Sequence, residues 1–196
     1  MSKEDYTTVI MAGGRSSRMG TDKAFVPLLG KPMIEHVLDS VDGLGSEKII
    51  ITNSIERYRY LGLPLFADIY EGSGPLGGLH TALVHAKCEH LLVVACDMPW
   101  LNRDLLEYMV SLRATADVIV PRWTKFPEPL HAVYSKACLK PVTDSLESRT
   151  LKLIAFYGQV RVRYLDRDVL SRFDAAGRSF ANINTLEDLR QAGEEK

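Results

Sequence analysis

The sequence predicts an α/β layer fold, a mostly parallel sheet with helices on both faces. Two observations lead there. Short apolar runs of strand length alternate along the chain with apolar stripes at helical period. Polar, glycine-bearing stretches then follow several of those runs directly, where open α/β sheets bind ligands at the carboxyl ends of their strands.

The strand-like runs are 7–11, 48–52, 65–67, 91–96 and 118–121, with similar runs at 130–134 and 160–165. Between them, Met33, Ile34, Val37, Leu38 and Val41 share one helical face. Leu76, Leu79, Leu83 and Ala86 form a second stripe, and Leu101, Leu105, Leu106, Met109 and Leu112 a third. Further helices are expected over 136–146, 151–157 and 185–192, and 121–129 is the most loop-like interior stretch.

At 196 residues the chain can bury a full core and is most simply one domain over 1–196. A net charge of −1 excludes a bulk polyanion binder, so any basic site must be local. The cysteines Cys88, Cys96 and Cys138 have no CxxC spacing and read as reduced structural thiols, which suits the cytoplasm. Residues 1–5 carry no apolar signal segment, and the apolar run 91–96 is far too short to span a bilayer, so neither secretion nor a membrane partner is expected.

The first strand opens onto the most informative segment. Met11-Ala12-Gly13-Gly14 leads into Arg15, Arg18 and Lys23, with no acid before Asp22. Glycines let backbone N–H groups come close to a ligand, and arginine forks and a lysine point charge suit phosphate oxygens. The loop reads as the seat of a nucleoside triphosphate, a solvated turn being the bland alternative. No window supplies G-x-x-x-x-G-K-[ST], so it is not a Walker A loop.

A second glycine segment runs from Asp68 to Leu79. Gly72, Gly74 and Gly77 match G-x-G-x-x-G, and Asp97 lies twenty residues beyond, the spacing of a dinucleotide-binding oxidoreductase. The match reads as accidental, because 68–71 separate it from the strand end. Pro75 suits a helix N-terminus. The run 91–96 ends in Asp97-Met98-Pro99, and a carboxylate at the tip of a central strand suits Mg²⁺ held jointly with phosphate oxygens. A turn before Pro99 is the other reading.

Weaker signals follow. Asn53 ends the second strand and can reach a base edge or close a turn. Asn184 with Glu187 reads as a capping box, and Asn182 as a turn residue. Arg122, Arg149 and Lys152 can draw an anionic second substrate, although surface solvation explains each singly. His36, His85 and His90 are expected at the surface, and no Ser-His-Asp order or nucleophile elbow indicates covalent catalysis.

Taken together, Ala12-Gly13-Gly14, Arg18-Met19-Gly20, Asp22-Lys23 and Gly30-Lys31-Pro32 resemble the signature of nucleotidyltransferases of the sugar-nucleotide pyrophosphorylase type. Within that group the molybdenum cofactor guanylyltransferase (MobA) family is most similar. Gly74-Pro75-Leu76-Gly77-Gly78-Leu79, Cys96-Asp97-Met98-Pro99, Asn182-Ile183-Asn184 and the segment Pro127 to Tyr134 extend the resemblance over nearly the whole chain. Leu186 stands where that family often has proline.

The resemblance implies a Rossmann-like, nucleotide-diphospho-sugar transferase-like domain that moves GMP from GTP to the phosphate of molybdopterin or Mo-molybdopterin and releases pyrophosphate. It implies Mg²⁺ as cofactor and Arg18, Lys23 and Asp97 as the catalytic residues, with Asp97 on the metal. Nucleotide contacts are expected from Met11, Ala12, Gly13, Gly14, Lys23, Asn53, Asp68, Gly77 and Asp97. Asn182 and Asn184 would touch the metal or the second substrate. Molybdenum-insertion proteins and molybdoenzymes would be partners, and nucleic acid would not. Cytidylyl transfer, a sugar phosphate or cobinamide phosphate as acceptor, and a non-catalytic nucleotide-binding module remain open on the residues alone.

Overall fold

The computed structural model describes residues 5–13, 23–183 and 188. In chain order β1 (Thr7–Met11) leads to a hairpin, β2 (Pro27–Leu28) and β3 (Lys31–Pro32), followed by α1 (Met33–Ser40) and β4 (Glu47–Ile51). Then come α2 (Ile55–Tyr58), β5 (Leu65–Phe66), α3 (Gly74–His85), β6 (His90–Ala95) and α4 (Arg103–Ser111). The chain continues through β7 (Val118–Arg122), β8 (His131–Ser135), α5 (Leu139–Glu147), β9 (Val162–Asp166) and α6 (Arg167–Leu170).

Among the described residues the main sheet runs β5-β4-β1-β6-β8-β7-β9. Every pairing is parallel except those of β8, which runs antiparallel to both β6 and β7. The reason is the short connection 123–130, which carries no helix; a parallel return needs a crossover of a dozen or more residues. The link from β6 to β7 does carry α4, so these two strands are parallel, with β8 inserted between them. The carboxyl ends of β1, β4, β6, β7 and β9 therefore share one edge.

Strand alternation divides the core. Val9, Ile49, Leu91 and Val93 pack with Leu76, Leu79 and Leu83 of α3 and Val142 and Leu146 of α5. On the opposite face Ile10, Ile50, Leu92 and Val94 pack with Ile34 and Val37 of α1 and Leu105, Leu106 and Met109 of α4. Helices thus cover both faces, which is why β1 and β6 are buried along nearly their whole length, Thr7, Thr8 and His90 included. At α4, the Asn102 side-chain oxygen accepts the Leu105 N–H at 2.9 Å and caps the helix.

Two expectations need correction, and one turn carries no mark in the sequence. His90 is not a surface group; it opens β6 and is only 9% exposed. Residues 151–157 do not form an α-helix, and a 3₁₀ turn over Ala155–Gln159 stands there instead, burying Phe156 and Tyr157. The β2–β3 hairpin turns through Leu29 and Gly30, at φ 51° and 82°. Positive φ at both turn residues is the type I′ pattern, and leucine is not among the residues that announce it. The helix expected over 185–192 lies almost wholly outside the described residues. No helix of the described residues is long and apolar enough to cross a membrane. The three cysteines form no disulfide.

Candidate active site

The sheet's backbone ladder runs on past the strand ends. Ala12 N–H donates to the Ile51 carbonyl at 2.9 Å, Cys96 N–H to Met11 at 3.1 Å, and Thr52 N–H to Phe66 at 2.9 Å. These bonds hold the tips of β1, β4, β5 and β6 level. Above them opens a cavity of about 890 Å³, enough for a nucleotide. Met11, Ala12, Gly13, Asn53, Asp68 and Asp97 line it together, although 86 positions separate the first from the last.

Asn53 and Asp68 form a closed pair. The Asn53 amide N–H₂ donates to Asp68 Oδ2 at 2.9 Å, and Asp68 N–H donates to Asn53 Oδ1 at 2.8 Å. Both ends of the Asn53 amide are therefore engaged by Asp68. The other carboxylate oxygen, Oδ1, looks toward Gly78, where a Cβ would sit 3.5 Å from it. Asn53 thus orients Asp68, and Asp68 is the group with an acceptor to spare toward the cavity.

Gly77 and Gly78 divide their work. A Cβ on Gly77 would meet the Tyr70 carbonyl oxygen at 2.8 Å, so Gly77 lets α3 pack against the preceding turn and does not line the cavity. Gly78 does line it. Gly74 and Gly78 are four apart and both line the cavity, a helical period that distinguishes Gly78 from Gly77 in the sequence. Cys96 and Leu130 also line the cavity and were not expected there. Cys96 could have been read from its place at the tip of the β6 run; Leu130 carries no such mark.

Asp97 is partly buried, and burial pushes its carboxyl above the usual range because the charged form is poorly solvated. The Lys23 ammonium lies close enough to oppose that rise. A partly buried carboxylate at an open, nucleotide-sized cavity is a fitting oxygen donor for a hard divalent cation, whose charge would offset the desolvation. Among the described residues no group of three or more His, Cys, Asp or Glu side chains converges on one point, so protein ligands beyond Asp97 would have to be supplemented by substrate oxygens.

The C-terminal segment joins Asp97 directly. Ile183 N–H donates to the Asp97 carbonyl at 3.0 Å, and the Ile183 side chain is buried with Leu28 and Met33 against Val26 and Trp100. This places Asn182, itself exposed, beside the Asp97 turn. Gly14, Arg18 and Asn184 lie outside the described residues. Arg122 is held by Asp166 through two bonds, at 2.7 and 3.1 Å, while Arg149 and Lys152 are exposed.

An α/β sheet with a glycine-lined strand end, a paired acid on the next loop and a carboxylate beside a lysine defines a nucleotide-binding domain of the nucleotidyltransferase class. Residues 8–161 match the MobA-like NTP transferase domain, and the chain belongs to that family. A protein of Pelotomaculum thermopropionicum named as a probable molybdenum cofactor guanylyltransferase is 40% identical over 95% of this chain and 91% of its own. One of Peptoclostridium acidaminophilum with the same name is 35% identical, over 94% and 87%. The crystal structure of molybdopterin-guanine dinucleotide biosynthesis protein A from Archaeoglobus fulgidus superposes with a TM-score of 0.84 at 28% identity, over 96% of this chain and 97% of that one.

Proposed function

We propose that residues 1–196 act as one catalytic domain that transfers GMP from GTP to the phosphate of molybdopterin, in its free or molybdenum-loaded form, giving the guanine dinucleotide and pyrophosphate. The observation that carries this reading is the convergence of Gly13, the Asn53–Asp68 pair and Asp97 on one cavity at the carboxyl edge. The family and its guanylyltransferase relatives supply the acceptor.

In this reading the guanine lies against Gly78 and presents its adjacent N–H donors to the Asp68 carboxylate, which Asn53 holds in place. The triphosphate lies over Gly13 and Gly14, with Lys23 near the α-phosphate and Arg18 on the departing pyrophosphate. An oxygen of the acceptor phosphate attacks the α-phosphorus in line, a new P–O bond forms, and the α–β bridging bond breaks. A phosphate nucleophile needs no general base, so the residues act by placement and charge. Asp97 would hold Mg²⁺, which when bound supplies charge stabilisation to the phosphate oxygens. Asn182 and Asn184 are assigned contacts to the metal or the second substrate. The work needs GTP and the pterin, with molybdenum-insertion and molybdoenzyme proteins as supplier and recipient, and is placed in the cytoplasm.

The test is pyrophosphate release with Mg²⁺ and each of GTP, CTP and ATP, with and without molybdopterin. Release restricted to GTP and dependent on molybdopterin supports the reading. Use of CTP moves the protein to cytidylyl transfer, and triphosphate binding with no release under any condition removes the assigned reaction.

A further inference from the structure

Asp68 stands on a segment that needs fixing from outside. Between β5 and α3, residues 67–73 form neither strand nor helix. Ile69 is 49% exposed, and Gly72 and Gly74 take positive φ, at 74° and 60°. A carboxylate on such a loop reads a base only if the backbone beneath it is pinned. Asn53, beyond the end of β4, supplies one pin by accepting Asp68 N–H at 2.8 Å.

The second pin comes from α3. The Thr81 hydroxyl oxygen accepts the next N–H along the chain, that of Ile69, at 2.9 Å. The same hydroxyl donates its proton to the Gly77 carbonyl at 3.0 Å. Its one proton is thus committed within the helix, and the oxygen's acceptor side is given to the loop. Thr81 is fully buried, so both bonds are shielded from water. Two consecutive backbone N–H groups are therefore held by two side chains that come from different elements.

The other loop–helix contacts set distance rather than direction. The Tyr70 ring meets the His80 ring edge-on with centroids 4.8 Å apart, and the Tyr70 carbonyl lies close over Gly77. Thr81 does more, because Gly77 precedes Gly78, the residue toward which Asp68 Oδ1 looks. One hydroxyl ties the acid to the glycine surface opposite it. A threonine bonded only within its own helix offers the contrast. Thr143 of α5 donates to the Leu139 carbonyl at 2.9 Å and makes no further hydrogen bond among the described residues.

We propose that Thr81 is a positioning residue for base selection. Its hydroxyl locks the Asp68–Ile69 peptide onto α3, so that the Asp68 carboxylate meets the N–H edge of a guanine lying on Gly78. The identity of that base rests on the guanylyl-transfer reading. Without the hydroxyl the acid loses its fixed place, while the phosphate contacts and the chemistry remain.

The experiment measures the affinity of the full chain, with Mg²⁺, for GTP and for inosine triphosphate, which lacks the exocyclic amino group. Wild type, Thr81→Val, Thr81→Ser and Thr143→Val are compared, with Tm and steady-state kinetics for each. The wild type should prefer GTP by about tenfold or more, because a site built to bond an N–H rejects the analogue without it. Thr81→Val keeps the shape and removes the hydroxyl. It should cut that preference about fivefold and raise the GTP KM several-fold, with kcat held within about twofold. Thr81→Ser should restore most of the preference, and Thr143→Val should leave it intact. A Thr81→Val protein with a lowered Tm and the wild-type preference makes Thr81 a packing residue and overturns the proposal. An equal loss in Thr143→Val does the same. A wild type that binds both triphosphates equally removes the guanylyl reading and this proposal together, whereas a preference that survives Thr81→Val removes the proposal alone.

Discussion

Over β4, β1 and β6 the carboxyl edge is lined by Ala12, Gly13, Ala67, Gly78 and Ala95, and it is open. Over β8, β7 and β9 the same edge is filled. His131, Phe180 and Trp123 stack in sequence, and Gly177 is pressed so close that a Cβ there would fall 2.2 Å from the Trp123 ring. Every strand but β8 runs toward this edge in both halves, so the larger difference is side-chain volume. A parallel sheet puts its strand tips at one edge, and small residues decide where along that edge a ligand can enter. The filled half is packed side chain rather than entrance.

The comparison breaks most sharply if the open half is not where the chemistry happens. Asp97→Ala should lower the rate of pyrophosphate release about 100-fold or more with little loss of Tm, because it removes a charge aimed at substrate and leaves the core intact. In the metal-free protein burial raises the Asp97 carboxyl and Lys23 lowers it, so the acid limb of Mg²⁺ binding followed against pH should lie above the ordinary carboxylate range. Lys23→Met should move that limb to higher pH. A limb that does not move would separate the two residues.

In the filled half the expected effects are on stability. Gly177→Ala places a side chain at φ +71° and against the Trp123 ring, and should cost about 3 kcal/mol in urea unfolding. An unchanged midpoint would show that the turn can shift freely.

His131 offers a comparably large effect tied to pH. It is fully buried and neither ring nitrogen has a hydrogen-bond partner among the described residues. Burial depresses its pKa to about 4, with the Ser179 backbone and the Asp174 carboxylate pulling weakly the other way. The unfolded chain, with a pKa near 6.5, binds the proton more readily, so stability should fall by about 3 kcal/mol as pH drops from 6.5 to 4. Thermal melts across that range should show the slope in the wild type and lose much of it in His131→Leu.

The smallest effects sharpen the boundary between binding and packing within the open half. A Cβ on Gly78 would strike only the Met11 methyl, the movable end of a flexible chain, at 2.3 Å. Gly78→Ala should push that methyl into the cavity and raise the GTP KM several-fold, with Tm nearly unchanged. Gly77→Ala meets backbone at Tyr70 and should instead cost about 1–2 kcal/mol of stability. Reversed outcomes would mean that the nucleotide lies against the other glycine.

Much of this architecture is legible in the chain. The runs 7–11, 91–96 and 118–121 became β1, β6 and β7 within a residue at either end, because strands buried on both faces are built mostly from apolar and β-branched side chains. Pro75 lies in the first turn of α3, as its missing N–H demands. The glycine-rich loop and Asp97 stood out because phosphate and metal chemistry restrict residue type. Strand order and direction did not show in the same way. That β8 inserts antiparallel between β6 and β7 depends on which edge the chain returns to, a choice made by packing.

Likewise residue type alone marks Asn53 as equally fit for a base or a turn; only the fold brings Asp68 within 2.9 Å and makes Asn53 its support. Only the fold sets Arg178 on Trp100, 78 positions away in the chain. Local pattern reports what a residue can do, because propensity and periodicity act over a few neighbours. Which partner it meets is decided by contacts between distant segments, and these exist only once the sheet has closed.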